Sequence, residues 1–164
     1  LGGGRRLNLT ANVSWNQTRV TDSTPMPPEL VGTGAVRFDR LFEGGLNAIE
    51  RERPDWRAGL TARYAWGSGW SALGRASFYG TYVSSLLSYT DLQTYRAKTI
   101  FDAEVTKNFG GVFTVAIGGR NLLDTFPDKV GEVNSFGIMQ YPTASPFGFN
   151  GRFLYTRMEY QLGK

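Results

Sequence analysis

Along most of this chain apolar and polar residues alternate one by one, the period of a strand whose two faces meet different surroundings. Residues 7–15 set Leu7, Leu9, Ala11, Val13 and Trp15 against Asn8, Thr10, Asn12 and Ser14. Residues 56–66 set Trp56, Ala58, Leu60, Ala62, Tyr64 and Trp66 against Arg57, Thr61 and Arg63. Residues 70–82 set Trp70, Ala72, Ala76, Phe78 and Tyr82 against Ser71, Arg75 and Thr81. Residues 101–109 set Phe101, Ala103, Val105 and Phe109 against Asp102, Glu104, Thr106 and Asn108. Residues 112–120 set Phe113, Val115 and Ile117 against Thr114 and Arg120. The terminal stretch sets Leu154, Met158, Tyr160 and Leu162 against Phe153, Tyr155, Arg157, Glu159 and Gln161. Six two-faced strands are predicted, and helical periodicity is scarce.

The connections carry a second rhythm. Gly67-Ser68-Gly69 and Gly110-Gly111 read as tight turns, whereas the stretches around 16–55, 84–98 and 121–150 are long. All seven prolines (Pro25, Pro27, Pro28, Pro54, Pro127, Pro142 and Pro146) fall in the long connections, where no ladder donor is needed. Short turns alternating with long loops are the habit of outer-membrane barrels. Structureless loops of this length are uncommon in compact soluble domains.

Charge and aromatic placement sharpen that picture. An Arg or Lys on a lipid face costs about 2–4 kcal/mol at the bilayer midplane and little near its surface. No charge falls in the middle of an apolar face; Lys107 lies on one, but three residues before the Gly110 turn, within snorkelling reach. Arg152 marks the loop end of the last strand. Trp15, Trp56, Phe78, Tyr82 and Phe101 lie towards the loop ends, and Tyr64, Trp66, Trp70, Phe109, Phe113 and Tyr160 towards the turn ends. Two aromatic bands separated by Ala, Leu and Val resemble the girdles of a membrane barrel. Strands of about 10 residues tilted by about 45° span roughly 24 Å, close to the apolar band of such barrels.

Composition then removes several functions. The 164 residues include no His and no Cys, so neither a disulfide framework, a thiolate metal site nor a His-based catalytic pair is available. A net charge of +4 with dispersed arginines offers no nucleic-acid patch. No apolar run approaches the length of about 20 residues that a membrane helix needs. The start, "LGGGRRLNLT", has neither Met nor an apolar signal core, which leads us to expect a processed product or a piece of a longer chain.

The last part of the chain resembles the C-terminal end of TonB-dependent outer-membrane receptors. The likeness rests on Asn121-Leu122-Leu123-Asp124 at the close of one strand, then Ser145-Pro146-Phe147-Gly148 and Gly151-Arg152 ahead of a terminal two-faced strand. The resemblance implies a barrel of about 22 strands plugged by an N-terminal domain. It further implies uptake of a scarce ligand such as an iron-siderophore, vitamin B12 or a saccharide, energised by TonB through a segment preceding the plug. Residues 1–164 would then be the C-terminal portion of that barrel, without plug or TonB box: an all-β, antiparallel, up-and-down transmembrane segment in the bacterial outer membrane. Its partners would be outer-membrane lipid, the nutrient ligand and, through the absent N-terminal region, the TonB complex. One departure is the end: members commonly finish on an aromatic residue, and here Gly163-Lys164 follow Leu162. A complete small outer-membrane pore or structural barrel, with extra strands in "GTGAVRFDRL", remains the alternative, and a soluble ligand-binding barrel a third.

Candidate chemistry is sparse. Arg57, Arg63, Arg75, Asp102, Glu104, Arg120, Arg157 and Glu159 all take the lumen-side parity of their strands. They suit a solvated or plug-facing wall with charges paired across strands, and a ligand contact is the other use of such a wall. Glu50/Glu52 and Asp102/Glu104 would each share one face if extended, but nothing suggests the divided tuning that acid–base catalysis needs. No enzyme activity, cofactor or metal is expected. Gly32-Thr33-Gly34 reads as loop punctuation. In the last long loop Phe126, Phe136, Met139, Tyr141, Phe147 and Phe149 either close over a ligand or pack the loop, and Phe136, Gln140 and Tyr141 are the candidate ligand contacts.

Overall fold

The computed structural model describes residues 4–22, 27–31, 46–84, 92–131 and 140–162. Its body is one antiparallel sheet of six strands: β1 (Arg6–Trp15), β2 (Trp56–Trp66), β3 (Trp70–Tyr79), β6 (Lys98–Phe109), β7 (Phe113–Arg120) and β8 (Phe153–Tyr160). They lie side by side in chain order, so each pairs with the next one along. A separate hairpin, β4 (Tyr82–Ser84) with β5 (Gln93–Tyr95), fills the connection between β3 and β6. Among the described residues helix is confined to 46–50 and a 3₁₀ turn at Pro28–Leu30, and no helix is long and apolar enough to cross a membrane. The chain is therefore mostly antiparallel β-sheet, as the alternation predicts, and the sheet is open, with β1 and β8 unpaired on their outer sides among the described residues.

Register decides what the sheet presents. Leu9 opposes Ala62, Ala62 opposes Gly74, Gly74 opposes Ala103 and Ala103 opposes Gly119, which in turn opposes Leu154. The apolar parities of all six strands thus merge into one continuous face. That face is uncovered: Leu9 is 64% exposed, Val13 75%, Ile117 64% and Met158 69%. Among the described residues the buried apolar side chains are few and lie elsewhere: Tyr82, Val83 and Tyr95 in the hairpin, Pro54, Pro127 and Pro142 in the connections, and Ile100 and Ala116 on the opposite, polar face.

The two ends of the sheet differ as expected. Trp66–Trp70 and Phe109–Phe113 are closed by tight turns at one edge, while the connections 16–55, 80–97 and 121–152 all leave from the other. On the apolar face Tyr64, Trp66 and Trp70 stack in succession at the turn edge, 5.6 and 6.2 Å between rings, and Phe109 meets Phe113 at 6.0 Å. At the loop edge Trp56 packs on Phe78 at 4.5 Å, beside Trp15. Lys107, the charge on this face, reaches the Ser68 carbonyl and lies 5.2 Å from the Trp70 ring, so its ammonium is drawn to the turn rim.

Three expectations need correction. The third strand ends at Tyr79, not residue 82: the Gly80 N–H makes the last bond towards β2, to the Trp56 carbonyl, and from Tyr82 the chain pairs with β5 instead. Tyr82 therefore leaves the aromatic rim and is buried in the hairpin, stacked on Tyr95 at 4.9 Å. Glu50 and Glu52 do not share an extended face: Glu50 ends a helical stretch and accepts the Val20 N–H, while Glu52 accepts the Ser84 hydroxyl. The alternative strand region "GTGAVRFDRL" lies outside the described residues.

Turn backbone offers a direct check. Gly69 has φ +75°, and a Cβ there would run into the Asn108 carbonyl oxygen; Gly110, at φ +64°, has open space around it. Gly69→Ala is expected to cost roughly 1–3 kcal/mol and Gly110→Ala about 1–2. The larger loss at Gly69 would appear as the greater shift in denaturant midpoint for the detergent-refolded chain.

Candidate functional site

The polar face holds the charged residues that the alternation assigned to it. Arg57, Arg63, Arg75, Asp102, Glu104, Arg120, Arg157 and Glu159 all share the side of the sheet opposite the aromatic bands. Its centre is a linked cluster: Glu104 accepts the Arg157 guanidinium at 3.0 Å, the Tyr155 hydroxyl at 2.8 Å and the Thr106 hydroxyl at 3.2 Å. Tyr155 opposes Gly118 on β7, whose missing side chain leaves the phenol its path; a Cβ at Gly118 would stand 2.7 Å from that oxygen.

Towards the loop edge this face forms a concavity of about 690 Å³. Arg75, Asp102 and Arg120 supply its charge, Tyr79, Phe147 and Phe153 its aromatic walls. Tyr79 packs against Phe147 at 5.4 Å, and the Arg57 guanidinium lies 5.8 Å from the Tyr79 ring. Arg75 stands opposite Asp102 in register, yet no ion pair joins them. Asp102 instead accepts the backbone N–H of Asn121 at 2.9 Å.

Of the motif residues, Asn121, Phe147, Gly148 and Gly151 line this concavity. Asn121 and Asp124 both adopt left-handed backbone, φ 50° and 56°, which Asn and Asp tolerate better than other non-glycine residues. The Asn121 amide exchanges two hydrogen bonds of 2.8 Å with the backbone of Thr125, the Leu122 N–H continues onto the Phe101 carbonyl, and the Asp124 N–H returns to the Asn121 carbonyl. Asp124 then accepts the Arg152 N–H at 2.8 Å, joining the start of the loop to its end. Gly151 is required there: its φ is +70°, and a side chain would meet Phe126 and the Asp124 carboxylate. Ser145 and Gly148 close a turn on each other, presenting Phe147 to Tyr79, with Pro146 inside the same turn.

The described ligand-contact candidates do not line this concavity. Tyr141 sits between Phe126, at 5.3 Å, and Phe149, at 6.4 Å, in a stack internal to the loop. Gln140 accepts the Val130 N–H through its backbone carbonyl and is exposed. Phe136 and Met139 lie outside the described residues. Tyr141 takes part in loop packing, and neither it nor Gln140 lines the concavity.

Comparison with known proteins returns no match. No family model fits the chain, and no curated protein or solved structure matches it. The reading of the site rests on its own geometry.

The geometry also exposes residues that sequence reasoning missed. Tyr79 sits on the polar parity of β3, an aromatic out of place that the apolar-face count passes over. Asp128 emerges as the clasp of the upper loops. It receives the Arg96 backbone N–H at 2.8 Å, the Arg96 guanidinium through both oxygens and the Lys98 ammonium at 2.7 Å. Burial alone would raise its carboxyl, but the hydrogen bonds from Arg96 and Lys98 outweigh it and hold the group well below the usual carboxylate range. In the adjoining hairpin burial pushes the Tyr82 and Tyr95 phenols up, the first also feeling Tyr95 and the second Asp128.

The sign of the pH effect follows. A carboxylate with a depressed folded pKa contributes its full stability above the unfolded value of about 3.9 and loses it progressively as pH falls from there to the folded value. Protection of the Arg96 amide against hydrogen exchange should therefore be flat through neutral pH, after correction for intrinsic rates, and weaken below about pH 4. Asp128→Asn should lower that protection at neutral pH and abolish its acid-dependent part.

Proposed function

We propose that this chain forms the C-terminal wall of a TonB-dependent receptor barrel in the bacterial outer membrane, serving uptake of a scarce nutrient such as an iron-siderophore, vitamin B12 or a saccharide. The observation that carries the reading is the uncovered apolar face, bounded at both edges by aromatic bands, on a sheet whose reverse side is charged. A sheet in water would bury such a face, since each exposed Leu, Val or Ile forgoes about 1.5–3 kcal/mol. Lipid removes that conflict, and it also explains why the one charge on this face is drawn to the turn rim.

The topology supports the same reading. Consecutive antiparallel pairing, tight turns at one edge and long connections at the other are how such barrels divide periplasm from exterior. The free edges of β1 and β8 then await neighbouring strands of the same barrel, which would remove the hazard of open edges. The Asn121–Asp124 and Ser145–Gly148 motifs act, in this reading, as staples that hold the last extracellular loop over the lumen wall. Coupling to TonB would run through an N-terminal region.

Tryptophan makes the reading testable, because all four tryptophans (Trp15, Trp56, Trp66 and Trp70) fall on the apolar face. In vesicles of phosphatidylcholine brominated on its acyl chains their fluorescence should be strongly quenched, more by bromine placed near the headgroups than near the bilayer centre. Unquenched emission from correctly folded protein would refute a lipid-facing sheet.

A second test uses adjacent residues of β2. Leu60→Arg, on the apolar face at mid-strand, should cost about 2–4 kcal/mol and sharply reduce the amount assembled in outer membranes. Thr61→Arg, one residue along and facing the other way, should assemble nearly as well as the parent. Equal tolerance at both positions would count against the assignment of faces.

A further inference from the structure

Resting on the receptor reading, we infer that the concavity at the loop edge of the polar face is a recognition subsite for a small anionic solute bearing a flat ring, such as an aromatic carboxylate. The first ground is charge left uncompensated. The ion pairs among the described residues are Arg96–Asp128, Lys98–Asp128 and Arg157–Glu104, so neither Arg75 nor Arg120 is joined to an acidic side chain. Asp102 would be the natural partner of Arg75, its neighbour across the β3–β6 ladder. Its carboxylate is instead drawn to the Asn121 N–H, where the left-handed turn begins. The turn that staples the loop thereby frees a guanidinium at the concavity.

The second ground is shape. A volume of about 690 Å³ lies within the roughly 300–1,000 Å³ of small-molecule sites and is far smaller than a protein surface needs. Tyr79, Phe147 and Phe153 bound it, offering flat apolar surface on which a ring can lie. Guanidinium groups meet carboxylates through paired N–H donors, a match that a neutral solute does not exploit. Two guanidiniums against one carboxylate, itself bonded to the Asn121 N–H, leave the hollow net positive, and with its aromatic walls it favours an anion attached to a ring over a bare anion or an uncharged sugar.

The experiment is calorimetric titration of the full polypeptide carrying this chain, in detergent. The probes are phthalate, benzoate, inorganic phosphate as a ringless anion and benzyl alcohol as an uncharged ring. Phthalate should bind best, benzoate next and the two controls at least tenfold more weakly, with the phthalate affinity falling as salt is raised. Arg75→Gln and Arg120→Gln should each weaken phthalate binding roughly tenfold or more, and Arg75→Lys less than Arg75→Gln. Phe147→Ala should weaken phthalate and leave phosphate unchanged.

Phthalate binding no tighter than benzyl alcohol would overturn the proposal, as would unchanged binding in the Arg75→Gln/Arg120→Gln double variant. The same double variant keeping its phthalate affinity while other parts of the polypeptide become protease-sensitive would assign these cations to an acidic protein surface, and would equally overturn it. Bromine quenching separates this from the receptor reading: quenching without phthalate preference removes the subsite alone. Phthalate preference without quenching removes the membrane assignment and leaves the subsite standing.

Discussion

Everything in this sheet depends on one registration: the apolar parity of each strand lands on the apolar parity of its neighbour. Because side chains alternate sides, a slip of one residue in any ladder would carry that strand's greasy positions to the charged face. Five ladders in succession avoid this, from Leu9 opposite Ala62 at one side of the sheet to Gly119 opposite Leu154 at the other. The tight turns help to hold the registration. Ser68 and Gly69, then Gly110 and Gly111, pass through left-handed backbone and return the chain directly onto Trp70 and Phe113.

The two faces are held together by different physics. On the apolar side, contacts are aromatic and local to the edges, and mid-strand positions are small or aliphatic. On the polar side, the bonds are directional and run between strands: Tyr155 and Arg157 on β8 both reach Glu104 on β6, crossing β7 where Gly118 and the buried Ala116 leave room. Small residues on β7 are thus what lets the outermost strand bond to the one beyond its neighbour. The same economy of side chains recurs at Gly151, where the loop closes against Asp124.

Beyond the small buried cluster of Tyr82, Val83 and Tyr95, the loops gain their order from carboxylates and amides. Asp128 gathers Arg96 and Lys98, Asp124 holds Arg152, Asp102 holds Asn121, and Glu50 and Glu52 tie down Val20 and Ser84. Acidic residues that looked in the sequence like members of a charged wall, or like spaced pairs, are largely spent on loop backbone and on neighbouring side chains. That use is what leaves arginines such as Arg75 and Arg120 unpaired at the loop edge, and it gives the concavity its character.

The alternation of residue types by itself determined six of the eight strands among the described residues, the side each residue takes and the two aromatic bands, because parity along a strand is a local property of the backbone. The NLLD stretch was legible as a motif, though its physical role as a left-handed staple was not. Only the tertiary structure decided where β3 ends, that Tyr82 turns inward onto Tyr95, that Tyr141 stacks within its loop and that Asp102 bonds a backbone amide in preference to Arg75. Each of those outcomes depends on which distant segment arrives alongside. Periodicity carries no information about that, since a loop's partners are set by long-range packing and hydrogen bonding and not by its own pattern.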